Sequence, residues 1–162
     1  MKAISNSSIL IALSRIERLE LLHLRFPEGI LVPQAVWREV VETGSGRPGA
    51  EEVASVSWVT VRPVGNKALV SLLRLGLDEG EAEAIALSLE EPAEAILLDE
   101  KNARRTAKRL GLAILGTVGI LIWAKRTGAI PNLRAELDVL QSKGNFRLSK
   151  SVYQQAISAV GE

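Results

Sequence analysis

The 162 residues include no cysteine. Disulfides, thiolate zinc sites and cysteine nucleophiles are thereby excluded. Histidine occurs once, at His23, with Leu21, Leu22 and Leu24 beside it. Two-histidine metal motifs cannot exist, and a Ser-His-Asp triad would have to be built on this one residue. Its leucine neighbours place it on a helix flank instead. Aromatics make up only 4% of the chain, and Trp37, Trp58 and Trp123 stand in apolar company that marks them as core residues rather than base-stacking platforms. The formal net charge is +1, so any charged surface must come from local clustering. No run is long enough for a membrane span of ~20 apolar residues. The longest uncharged stretch, GLAILGTVGILIWA at 111–124, is divided by Gly-Thr-Val-Gly. The apolar run after Lys2 is broken at Asn6, so no leader is expected and a cytoplasmic location is. With thiolates absent and imidazole down to one, a bound metal would be held mainly by oxygen, which favours Mg²⁺ or Mn²⁺.

What remains is a chain with 47% hydrophobic residues, a length that suits one domain over residues 1–162, and an alternation of two patterns. Short continuous apolar runs, KAIS (2–5), ILVP (30–33), AILL (95–98) and LAILG (112–116), read as buried strands, and WVTVRPV (58–64) alternates like a strand with one exposed face. Between them lie segments of helical spacing. SSILIALSRIERLELLHLRF (7–26) reads as two helices. Pro33 starts a helix through QAVWREVVE, and EEVASV and KALVSLLRLG are shorter helices, the latter stopping at Gly76. LDEGEAEAIALSLEE is helical from about Glu79 to Pro92, KNARRTAKRLG ends at Gly111, and TVGILIWAKRTG, NLRAELDVLQSKG and SKSVYQQAISAVG complete the chain. Repeated strand–helix units with continuous apolar strands predict a parallel sheet covered by helices on both faces. Ligands of such sheets bind outside the carboxyl ends of the strands, where strand order reverses.

That rule directs attention to Asn6, which follows the first strand through Asn-Ser-Ser, and to Asp99, which follows AILL. Each candidate has an ordinary structural use as well. Asp99 suits the N-cap of a helix beginning near Glu100. Glu39 falls on the flank of the apolar face formed by Val36, Trp37, Val40 and Val41. Asp78 and Glu81 have the spacing of a capping box, and acids in a first helical turn are favourable without a metal. Glu83 has fewer structural uses, although an exposed glutamate needs none.

Taken together, five blocks in order resemble the PIN-domain superfamily, and within it the branch related to VapC-type toxins. They are ISNSSILIALSRIERLELL, VPQAVWREV, LDEGEAEAIALSLE, ILLDEKNARRTAKRLGL and GTVGILIWAKRTGAIP. The likeness runs from Ile4 to about Val160. It implies a three-layer α/β/α sandwich with a central parallel sheet of about five strands. It also implies a carboxylate site at the sheet's carboxyl edge that holds Mg²⁺ or Mn²⁺ and cuts RNA. Carried over, the acidic positions fall on Asn6, Glu39, Glu81 or Glu83, and Asp99. Two departures stand out: Asn6 replaces an aspartate, and Thr117 lies where some members carry another acid. An Asn carbonyl oxygen can ligate, but it adds no charge. Two carboxylates ~4 Å apart repel by ~4 kcal/mol at an effective dielectric of 20, a cost that a divalent ion removes. The ion can also polarise a phosphate and activate a water.

On the substrate side, Lys101, Arg104, Arg105 and Lys108 recur at helical spacing beside Asp99, with Ala103, Ala107 and Leu110 turned inward. The stripe is either a solvated face or a contact for RNA phosphates. Ser5, Ser7 and Ser8 can donate to a phosphate or cap the first helix. GTVG (116–119), with Thr117, can offer a helix N-terminus to phosphate but lacks the spacing and lysine of a P-loop; close strand–helix packing is its simpler use. The resemblance makes a small antitoxin protein and a homodimer the expected partners, the apolar C-terminal helices offering surface for the latter. The competing expectation, resting on Asn6, is a PIN-like module that binds RNA or protein without cutting.

Overall fold

The computed structural model describes residues 2–162, so Met1 lies outside them. Five short strands form one all-parallel sheet: β1 (Ala3–Ser5), β2 (Ile30–Pro33), β3 (Val59–Arg62), β4 (Ala95–Leu97) and β5 (Ile114–Leu115), in the order β3-β2-β1-β4-β5. Every strand pairing is parallel, with Ala3 opposite both Ile30 and Ala95. The chain steps outward from β1 through β2 to β3 and then returns to the other side of β1. The strand order therefore reverses between β1 and β4, and the crevice that such a reversal opens lies beyond Ser5 and Leu97.

Alternation along the strands divides the core into two layers. Ala3, Ile30, Val32 and Leu97 face one side, where they meet α1 (Ser7–Arg15), α2 (Glu20–Arg25), α4 (Ala50–Ser55), α8 (Thr117–Arg126), α9 (Leu133–Ser142) and α10 (Lys150–Ala159). Ile4, Leu31, Ile96 and Leu98 face the other, against α5 (Lys67–Leu73), α6 (Glu79–Glu90) and α7 (Lys101–Arg109). This is the three-layer sandwich that the strand–helix alternation predicts. The edge strand β3 is only half-buried along its length, which explains its polar alternation. Trp37, Trp58 and Trp123 all pack partly buried on the first core. His23, on an exposed flank of α2, stacks on Trp58 with ring centroids 5.2 Å apart. No helix among the described residues is long and apolar enough to cross a membrane.

Three local expectations are corrected. Pro33 ends β2 and caps the following helix rather than standing inside it. That helix, α3 (Gln34–Trp37), widens into a π-helical turn over Arg38–Glu42, which carries Glu39. Leu110 is the C-cap of α7 and is 43% exposed, because the helix ends before it can turn inward.

Candidate active site

Asn6 leaves β1 as the N-cap residue of α1, and its N–H bonds Leu97 O at 3.1 Å, tying it to the end of β4. Its side chain is 5% exposed and makes no cap hydrogen bond. The neighbouring serines are likewise not caps: Ser5 Oγ donates to Asn6 O, and Ser7 Oγ donates to Glu39 Oε2 at 3.0 Å. Ser7 thus holds Glu39 from across the crevice. Glu81 arrives from α6. Asp78 Oδ1 accepts from Glu81 N at 2.8 Å, and Glu81 Oε1 accepts from Asp78 N at 3.1 Å, so the predicted capping box is complete. Unlike most capping-box glutamates, Glu81 is 6% exposed.

Gly80 stands against two of these groups. A Cβ there would lie 3.2 Å from Asn6 Oδ1 and 3.5 Å from Glu39 Oε2. Both side chains therefore pack directly against Gly80, and any larger residue there would press on them. A cavity of about 390 Å³ has a wall that includes Asn6, Ser7, Ser8, Glu39, Asp78, Glu81 and Glu100; Gly80 lies behind it and lines a neighbouring cavity with Glu39, Asp78 and Glu79. Burial pushes the Glu81 carboxyl above its usual range, and the charges of Asp78, Glu100 and Glu39 push the same way against the Asp78 N–H that favours the ionised form.

The other candidates are placed elsewhere. Glu83 is two residues past Glu81 and so on another side of α6; its Oε1 accepts from Ala35 N at 3.1 Å, satisfying a free N–H of α3. It lines a separate cavity with Gln34 and Arg74. Asp99 does not cap α7, whose N-cap is Glu100, accepting from Ala103 N at 2.9 Å. Asp99 turns instead to the start of α8, where it accepts from Thr117 N at 2.8 Å and from Thr117 Oγ1 at 2.6 Å. Burial raises its pKa, while Thr117 and the charge of Arg104 pull it back. Gly116 leaves room for this arrangement, since a Cβ there would meet Arg104 Nη1 at 2.6 Å and Asp99 Oδ1 at 2.9 Å. Thr117 is fully buried, which removes it from any contact with nucleic acid. Asp99 and Arg104 line a second cavity of about 470 Å³, and Phe146 borders both cavities. Of the basic stripe, Lys101, Arg105 and Lys108 are exposed, whereas Arg104 is half-buried and donates to Leu98 O at 2.9 Å.

Asp78 and Glu100 complete the wall, and neither is marked as a wall residue by the sequence alone. Glu100 is adjacent to Asp99, and only the direction of their two side chains separates them. The donor set of the cavity is all oxygen. Among the described residues no three acidic or histidine side chains stand close enough together to enclose an ion. Mg²⁺ commonly rests on one or two carboxylates and keeps several waters, and Asn6, Glu39 and Glu81 around an open cavity fit that mode of binding.

A PIN-domain family model matches residues 2–162. The chain belongs to the PIN-domain family. PIN domains are generally nucleases that use divalent metal ions, and they typically bind nucleic acid. No curated protein and no solved structure matches the chain. The match covers the whole of the sheet and every residue of the cavity in this PIN domain.

Proposed function

We propose that this PIN domain is an endoribonuclease of the VapC toxin kind, hydrolysing RNA phosphodiesters with Mg²⁺ or Mn²⁺. The observation that carries this reading is the placement of Asn6, Glu39 and buried Glu81 on the wall of one cavity, at the crevice where strand order reverses. Asn6, Glu39 and Glu81 would hold the cation, with Glu100 as the fourth acid of the wall. A bound divalent cation would neutralise these carboxylates, polarise a phosphate and make a water a better nucleophile. Ser7 orients Glu39, and Asp78 orients Glu81. Asp99 serves as a positioning residue, joining the end of β4 to α8 through Thr117. The exposed Lys101, Arg105 and Lys108 supply phosphate contacts outside the cavity. A small antitoxin protein and a second copy of the chain are the proposed partners, and the cytoplasm the proposed location. Exposed apolar surface is offered chiefly by Leu72 and Leu75 at and just past the end of α5, at 63% and 83%, rather than by the C-terminal helices.

The test is cleavage of RNA by purified protein in Mg²⁺ or Mn²⁺. The nuclease reading expects cutting that EDTA and Glu39→Gln abolish. A specific observation favours a second reading, a module that binds RNA without cutting: the amide at position 6 contributes no charge. That reading expects an inert wild type whose RNA binding survives EDTA.

A further inference from the structure

Besides the carboxylates, the cavity is walled by α1, which presents Ser8, Ile11, Ala12 and Arg15 to it, residues spaced so that one helix face forms the wall. Two polar atoms in this wall are buried without a partner, Ser8 Oγ and Arg15 Nε. Buried polar groups of native proteins are nearly always satisfied, and a guanidinium most of all. Arg15 forms no ion pair among the described residues. Its one polar contact is Nη1 to Gly144 O at 3.5 Å, the outer limit of a hydrogen bond. The four nearby carboxylates do not claim it: Glu39 takes Ser7, Asp78 and Glu81 cap one another, and Glu100 caps α7. A long side chain in the last turn of a helix leans back over the preceding turn, which brings the Arg15 head toward Ser8.

We propose that Arg15 and Ser8 form a phosphate-binding subsite for the RNA strand beside the bond that is cut. The inference rests on the reading of the cavity as a nuclease site. A guanidinium with a single long contact and a hydroxyl with no partner match the oxygens of a phosphodiester. Ser8 and Arg15 are seven residues apart, ~10 Å of helix at ~1.5 Å per residue. The extended Arg15 side chain lies back along that span, so both donors reach one flanking phosphate and Glu39 and Glu81 are left to the reacting one.

The experiment measures binding of a fluorescein-labelled single-stranded RNA of about a dozen nucleotides in EDTA over a range of salt concentrations. Every protein compared carries the same carboxylates, so differences report the Arg15 wall. Arg15→Gln is expected to weaken binding several-fold and to reduce the salt slope by ~0.7, the value for one phosphate contact on a single strand. Arg15→Lys restores the slope. Ser8→Ala, which deletes only a neutral donor, weakens binding without changing the slope, and it serves should Arg15→Gln fail to fold. Equal affinity and slope in wild type, Arg15→Gln and Ser8→Ala would overturn the subsite, as would absence of RNA binding by the wild type at low salt. Cleavage is scored separately in Mn²⁺. RNA that binds through Arg15 but is never cut defeats the nuclease reading and leaves the subsite standing. Cutting that is indifferent to Arg15 does the reverse.

Discussion

Gly80 shows how one missing methyl group shapes the site. Alanine is the better helix former by up to about 1 kcal/mol, so Gly80→Ala should fold with a Tm close to that of the wild type. Its Cβ, however, would stand 3.2 Å from Asn6 Oδ1 and 3.4 Å from Val36 Cγ2. Either the amide or the helix must shift, and a displacement of even 1 Å in a reacting constellation can cost about 100-fold in rate. Loss of the Mn²⁺-induced rise in Tm with an unchanged Tm in EDTA is the expected signature; an undiminished response to Mn²⁺ would show that Asn6 and Glu39 do not hold the ion. Glu81 supplies a pH test. Its folded-state pKa is raised by burial and by Asp78, Glu100 and Glu39. The folded protein therefore holds this proton more tightly than the unfolded chain does. The resulting stability is complete below the ordinary carboxylate value and is lost as pH climbs through the raised one. Metal-free protein should lose Tm as pH rises above the ordinary carboxylate range. Glu81→Gln keeps an acceptor for the capping box and should flatten that decline. Saturating Mn²⁺ should restore Tm at neutral pH and do little at acidic pH, where protons compete for the same oxygens. Parallel Tm profiles for wild type and Glu81→Gln would refute the assignment.

At the scale of elements, what could be read from the chain was whatever local spacing encodes. The capping box of Asp78 and Glu81 is complete because both partners lie within one turn. The strands AILL and ILVP were legible because buried parallel strands are continuously apolar. Asp99 and Glu100 were not separable in this way. Both end the same strand, and both can cap a helix. Which one turns to the cavity depends on α8, whose first N–H needs an acceptor and finds Asp99 only after β5 has paired with β4. The choice between Glu81 and Glu83 is similar. α6 is buried over Ala82, Ala84, Ile85, Ala86 and Leu87, so its own sequence offers no clear polar face, and the decision lies with α3, whose Ala35 N–H takes Glu83. The π-helical turn around Glu39 also has no local signature, although such turns often mark functional sites. The tertiary role of Asp99 can be measured. Asp99→Ala strands the N–H and the hydroxyl of buried Thr117, a loss of about 1–3 kcal/mol that urea denaturation would register as a lower midpoint. Asp99→Asn still accepts from the N–H and should lose less. If Asp99→Asn keeps its stability but abolishes cleavage, Asp99 belongs among the ligands after all.

For the whole molecule, the topology brings four acids and the Asn6 amide to the wall of one cavity. The crevice between β1 and β4 receives Asn6 from one strand end and Glu100 from near the other, while α6 and the π-helical turn bring Glu81 and Glu39 across it. On the proposed reading, carboxylates on one wall repel one another when no cation is present, and the amide at Asn6 would relieve part of that repulsion and give up part of the affinity for a divalent ion. Asn6→Asp reverses the exchange. In EDTA the variant should be less stable by about 1 kcal/mol, or about 2–4 °C in Tm for a domain of this size. In saturating Mn²⁺ it should gain more than the wild type does, because each added carboxylate strengthens oxygen coordination. Cleavage should follow the same order, with Asn6→Asp active at lower Mn²⁺ than the wild type. An inert wild type beside an active Asn6→Asp would make the natural protein a nuclease scaffold held in a binding role by a single amide. If neither protein gains Tm with Mn²⁺ or Mg²⁺, the crevice is not a cation site, and the acidic wall must be explained by helix caps alone.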